Sequence, residues 1–67
     1  MKWFSGPDLS NRRFVIEHDE NVGYYLLVFE GEICVRDELQ DSFEQAVAAA
    51  EKRFGVARDT WALEGAH

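Results

Sequence analysis

Apolar and polar positions alternate with a period of two over three stretches of this chain, the spacing of a strand with one face in a core. Arg13 to His18 separates into Phe14 and Ile16 on one side and Val15 and Glu17 on the other. Gly23 to Phe29 reads Gly-Tyr-Tyr-Leu-Leu-Val-Phe, so Tyr24, Leu26 and Val28 line one face while Tyr25, Leu27 and Phe29 line the other. Ile33 to Leu39 sets Ile33, Val35 and Asp37 against Cys34, Arg36 and Glu38, a mixed pattern that suits an edge strand guarded by charge. Asp19-Glu20-Asn21-Val22-Gly23 and Glu30-Gly31-Glu32 carry the residues that favour local hydrogen bonding and positive φ, and each predicts a hairpin connection. The pattern therefore predicts a three-stranded antiparallel meander over residues 13–39.

The period then changes to 3.6. Asp41 with Glu44, or Ser42 with Gln45, satisfies the capping-box spacing, and Phe43, Val47, Ala50 and Phe54 fall on one helical stripe flanked by Ala46. Gln45, Ala48, Ala49 and Lys52 lie outward, and Gly55 followed by Val56 is the expected left-handed stop with its hydrophobic contact back to Ala50. The helix is predicted over 42–54. Residues 1–11 carry the loop signals Gly6-Pro7-Asp8 and Ser10-Asn11 and read as an N-terminal arm, which Trp3 and Phe4 give a reason to dock. In the tail, 56–67, a turn of helix sets Trp61 against the core and 64–67 fray. The fold class is α+β, one domain of residues 1–67 in βββα order, with one helix packed on one face of the sheet.

One helix covers one face, and the middle strand is apolar on both. Tyr25, Leu27 and Phe29 would form a sticky patch if left in water. Three covers compete for it: the chain's own ends through Trp3, Phe4 and Trp61, a second copy packed sheet to sheet, or a different protein. If the helix sits on Tyr25, Leu27 and Phe29 instead, the same question passes to Tyr24, Leu26 and Val28.

Size makes the question sharper. A chain of 67 residues buries only about 60% of the surface its unfolded form exposes. Cys34 is the sole cysteine, which excludes an internal disulfide and suits a reducing cytoplasm. His18 and His67 are the only imidazoles and give no zinc-type ligand set. No segment approaches the ~20 apolar residues of a membrane span, and the first seven residues lack the apolar run of a signal peptide. What remains to stabilise the domain is a dense apolar core or association, for which 46% hydrophobic residues suffice.

The net charge of −6 is unevenly spread: Glu17 to Glu51 holds ten acidic residues and one basic, Arg36. Such a surface repels a phosphate backbone. Asp37 and Glu38, with Glu30 and Glu32, form an acidic surface suited to a basic protein partner. The basic residues Arg12, Arg13, Lys52, Arg53 and Arg58 leave a small nucleic-acid or ligand-binding module as the alternative. His18-Asp19-Glu20 reads as a solvated turn, because successive residues at a strand end point in alternating directions. Cys34, between Ile33 and Val35, reads as a small hydrophobe with no base beside it except His18. No catalytic residue, metal ligand set, cofactor site or small-molecule substrate is predicted.

The run Phe14-Val15-Ile16-Glu17-His18-Asp19-Glu20-Asn21-Val22-Gly23-Tyr24-Tyr25, then a glycine turn, an apolar strand and Asp41-Ser42-Phe43-Glu44-Gln45-Ala46, resembles the βββα unit of HicB-like antitoxin domains. The place of that family's Pro-Gly-Cys segment is taken by Gly31-Glu32-Ile33-Cys34. Asp37-Glu38-Leu39-Gln40-Asp41-Ser42, Gly55-Val56 and Trp61 are similar to a set of small uncharacterised bacterial proteins. These resemblances imply a bacterial accessory or neutralising protein rather than an enzyme. The candidate contact residues are Tyr25, Leu27, Phe29, Trp3, Trp61, Asp37 and Glu38.

Overall fold

A computed structural model of the chain describes residues 1–65. Its order is β1 (Lys2–Ser5), β2 (Arg12–Asp19), β3 (Gly23–Glu30), β4 (Ile33–Gln40), α1 (Phe43–Phe54), a 3-10 turn (Arg58–Thr60) and β5 (Ala62–Leu63). The class is α+β with one helix and an antiparallel sheet, and the sheet has five strands in the order β4-β3-β2-β1-β5. The meander of three is present as β2-β3-β4. The arm and the tail add β1 and β5 to its other edge, so β2 lies inside the sheet.

The helix covers the face that carries Tyr24, Leu26 and Val28. Phe14, Ile16, Leu26 and Val28 project from β2 and β3 and are fully buried against Ala46, Val47 and Ala50 of α1, with Val56 closing one end. The alanines allow close approach of helix to sheet, and the four branched or aromatic side chains fill the space between. Phe43 and Phe54 pack at the two ends of the stripe, as their spacing predicts. Ala49, expected to face outward, is also partly buried against the core.

Both helix ends follow the sequence signals. Ser42 Oγ accepts a hydrogen bond from the Gln45 N–H, and Gln45 Oε1 accepts one from the Asp41 N–H. At the other end Gly55 has φ 71°, and the N–H groups of Gly55 and Val56 donate to Glu51 and Ala50 carbonyls, the paired bonds of a Schellman stop.

The ends of the chain depart from the expectation of an arm and a frayed tail. Lys2–Ser5 pairs with Phe14–Glu17 and places Trp3 opposite Ile16, on the helix side. The Trp3 ring lies 4.6 Å from that of Phe43 and 6.2 Å from that of Tyr24. The tail returns through the 3-10 turn, packs Trp61 on the core as expected, and then pairs Ala62 and Leu63 with Phe4 and Trp3. The Glu64 N–H donates to the Lys2 carbonyl, so the predicted fraying does not begin there. His67 lies outside the described residues. Ser5, the one polar residue buried among those described, is satisfied in the same clamp: Thr60 Oγ1 donates to the Ala57 carbonyl and is left to accept from Ser5 Oγ at 2.7 Å.

Two backbone features hold the meander in register. An irregularity between Val28 and Phe29 brings Cys34 opposite Phe29, so the strict alternation expected of Ile33–Leu39 holds only from Arg36 onward. Gly23, at φ 138°, brings its Cα so close to β4 that an added Cβ would sit 2.6 Å from the Gln40 carbonyl oxygen.

Gly23→Ala is therefore expected to destabilise the protein by about 2 to 4 kcal/mol through strain and overpacking, read as a lower urea midpoint. Trp3→Ala should cost about 2 to 3 kcal/mol, somewhat below the value for a fully buried aromatic. Leu9→Ala, at a fully exposed loop position, should leave the midpoint in place.

Candidate interaction face

Alternation fixes what the helix leaves uncovered. With Leu26 and Val28 turned to the helix, Tyr25, Leu27 and Phe29 occupy the opposite face, and register assigns their neighbours. The central row runs Phe4, Val15, Leu27 and Asp37 across four strands. One row toward the β2–β3 hairpin lie Lys2, Glu17, Tyr25 and Leu39. One row the other way lie Arg13, Phe29 and Cys34. Val15 is buried although no layer among the described residues covers it, because Phe4 and Leu27 flank it in the sheet. Phe4 and Leu39 remain 41% and 50% exposed.

Of the three competing covers, closure of Trp3, Phe4 and Trp61 over Tyr25, Leu27 and Phe29 is not what the structure has. Pairing β1 edge-on to β2 sends Trp3 and Phe4 to opposite faces, as it must for adjacent strand residues. Trp3 and Trp61 both pack on the helix-side core, and Phe4 extends the open face rather than capping it. A depression of about 420 Å³ lies on this face, floored by Phe4, Val15, Leu27 and Phe29 with Lys2 and Arg13 at its border. Of the predicted contact residues, Tyr25, Leu27, Phe29 and Asp37 come together. Trp3, Trp61 and Glu38 do not share their face.

Glu38 lies in the row of Ile16 and Leu26, on the helix side, and pairs with Arg53 of α1. The acidic surface expected of Asp37 and Glu38 is thus split between two faces by the period of the strand. Phe4 and Val15 are the contact residues that sequence reasoning missed. The signal was the uninterrupted apolar run Phe14-Val15-Ile16, which suits a strand with neighbours on both edges.

The basic residues are not gathered either. Arg12 pairs with Asp8 and lies over the Phe14 and Phe54 rings, Arg53 pairs with Glu38, and Arg58 reaches Glu44 and Glu51. Arg13 stands on the open face, away from these. His18 stacks on Tyr24 at 4.2 Å on the helix side, six residues of β4 from the row of Cys34, a separation of about 20 Å that keeps thiol and imidazole apart. Asp19, beside it, accepts from the Asn21 N–H and serves the hairpin turn. Among the described residues no three His, Cys, Asp or Glu side chains form a metal-holding group, and no helix is long and apolar enough to cross a membrane.

Asp8 ties the loop between β1 and β2 to the start of β2. Its Oδ1 accepts from the Ser10 and Arg12 N–H groups and its Oδ2 from Arg12 Nε. The Arg12 backbone N–H foremost holds the Asp8 carboxyl below its ordinary value of 3.8; partial desolvation opposes this, and the Arg12 side chain and the Ser10 N–H add to the lowering.

The fold defined by these elements is a five-stranded antiparallel sheet with one helix on one face and a mixed apolar and charged surface on the other. No family model, curated protein or solved structure matches the chain.

Because the native Asp8 carboxyl releases its proton at lower pH than the unfolded one, it stabilises the fold at neutral pH, and this contribution is lost as pH falls through the native value. Asp8→Asn should lower the urea midpoint at pH 7, and the gap to wild type should close below about pH 4.

Proposed function

We propose that this chain is a non-catalytic protein–protein interaction module whose contact surface is the open face of the sheet. The observation that carries the reading is the row Phe4, Val15 and Leu27, continued by Tyr25, Phe29 and Leu39, which no element among the described residues covers. Aromatic and aliphatic side chains held rigid on strands lose little side-chain entropy on binding, and such residues dominate the centres of protein interfaces. Lone charges at the margin supply the polar rim.

Within that reading, the resemblance of Phe14 to Ala46 to HicB-like antitoxin domains makes neutralisation of a partner protein the narrower proposal, in the cytoplasm that the single free thiol suits. The nucleic-acid alternative has less support. Arg12, Arg53 and Arg58 already lie against carboxylates, which leaves little charge to neutralise phosphates.

The test is site-specific photo-crosslinking in the native cell. A crosslinking amino acid in place of Tyr25 should capture a protein adduct, whereas the same group in place of Gln45, exposed on the far side of α1, should not. Adding Leu27→Glu should reduce the Tyr25 adduct about tenfold or more, the effect of losing one central contact, while circular dichroism stays native. Equal capture from both positions, or salt-sensitive retention of RNA lost on Arg13→Ala, would overturn the reading.

A further inference from the structure

We infer that residues 57–65 form a strap that detaches from the rest of the fold as a unit, and that the edge of β1 beneath it is a docking site for an extended segment of a partner protein. This edge is separate from the open face and does not depend on the reading of that face. The ground is the contrast between the strap and the chain before it. Val56 is the last buried residue among those described, fixed by the bond from its N–H to the Ala50 carbonyl. From Ala57 to Gly65 no residue is buried. The 3-10 turn has no side-chain cap, and β5 offers only two residues to β1. Trp61, half-buried on the core, has its indole Nε1 out of water and without a hydrogen-bond partner among the described residues, a cost that opening relieves. Segments with so few buried contacts open at a free energy below that of global unfolding.

The polar ties that close the strap are few. The Glu64 N–H donates to the Lys2 carbonyl, Ser5 and Thr60 share a hydroxyl bond, and Arg58 reaches Glu44 and Glu51 across exposed surface, where ion pairs contribute little. The bonds of the Thr60 N–H and Oγ1 to the Ala57 carbonyl lie within the strap and travel with it. Ala57, extended and exposed just after the helix stop, is the hinge. Opening there leaves Phe14, Ile16, Leu26 and Val28 under Ala46, Val47 and Ala50 of α1.

The strap itself displays what fits the edge. Trp61 and Leu63, two residues apart, lie on the helix side, with Leu63 opposite Trp3, and Ala62 stands opposite Phe4 on the other side. The incoming segment is therefore extended and antiparallel to Lys2–Ser5, and carries a large aromatic, a small residue and an aliphatic one in succession. Main-chain bonds to β1 supply its affinity and the seat of Trp61 its selectivity. The strap pairs with only two of the four residues of β1, so a longer strand gains ladder bonds that the strap does not make. The strap of a second copy would only repeat the contacts of the closed chain, which is why the occupant is a partner's segment. Held on a short tether at an effective concentration of about millimolar, the strap keeps the edge covered until such a segment displaces it.

Native-state hydrogen exchange and a labelled peptide test the two halves of the inference. The Glu64 amide should exchange about a hundredfold or more faster than those of Ile16 and Leu26, at a rate that low urea leaves unchanged. Equal protection at the three positions would overturn the independent strap. A fluorescent peptide with the sequence of residues 57–65 should bind the Trp61→Ala chain about tenfold or more tightly than the wild type, because a weakened strap vacates the edge. Absence of that gain would overturn the docking site. If Trp61→Ala lacks the native circular dichroism, Glu64→Pro, which removes the donor to Lys2 and no core side chain, makes the same comparison. Phe4→Cys with Ala62→Cys, in a Cys34→Ser background, places two thiols opposite each other at a Cα separation of about 4.5 to 5.5 Å, within reach of a disulfide. The oxidised chain should lose the peptide and the reduced chain regain it, and equal binding by the two forms would place the site elsewhere and overturn the inference. A wild type that dimerises at millimolar concentration while the oxidised chain stays monomeric would assign the edge to the strap of a second copy and overturn the partner segment.

Discussion

The contact of Phe14, Ile16, Leu26 and Val28 with the Ala46, Val47 and Ala50 stripe is the interaction on which the rest of this structure depends. It commits α1, the one α-helix among the described residues, to one side of the sheet. A strand side chain has two directions available and no third, so the commitment decides at once that Leu27 and its neighbours face away from the core. The open face is a consequence of how the core is built.

The chain ends settle what that face looks like. Strand pairing satisfies the backbone of Lys2–Ser5 along the free edge of β2, whereas an arm laid across the open face would leave its backbone groups to water or unpaired. Once Trp3 finds Phe43 and Tyr24, the next residue must turn outward, and Phe4 joins the surface that it was expected to help cover. The short β5, the Glu64 bond to Lys2 and the Ser5–Thr60 hydroxyl pair then seal the helix-side layer. Stability and exposure thus have the same source.

Charge follows the same geometry. The acidic excess is a single block in sequence, yet the strand period sends Asp37 to the open face and Glu38 to Arg53, so the block does not form one acidic surface. Likewise Arg12 and Arg13 are adjacent in the chain and part at the sheet. Arg12 is drawn to Asp8 and the Phe54 ring, and Arg13 stands beside Phe29. The face that results has an apolar centre with Lys2, Arg13 and Glu17 on its β1–β2 side and Asp37 on β4, a pattern that exists only across four strands.

Local signals determined much of this protein. Period two located β2, β3 and β4, and the Ser42–Gln45 pair and Gly55 bounded α1, because those preferences act over a few residues and owe little to the rest of the chain. The two faces of β3 were legible for the same reason. The four-residue β1 and two-residue β5 were not, since strands so short carry no periodicity and exist only through partners distant in sequence. Tertiary structure alone decided that β2 is interior, that Trp3 serves the core, and that Phe4 and Val15 join Tyr25, Leu27 and Phe29. Which side of a strand is covered depends on what lies across it, and that is a property of the folded arrangement and not of any segment.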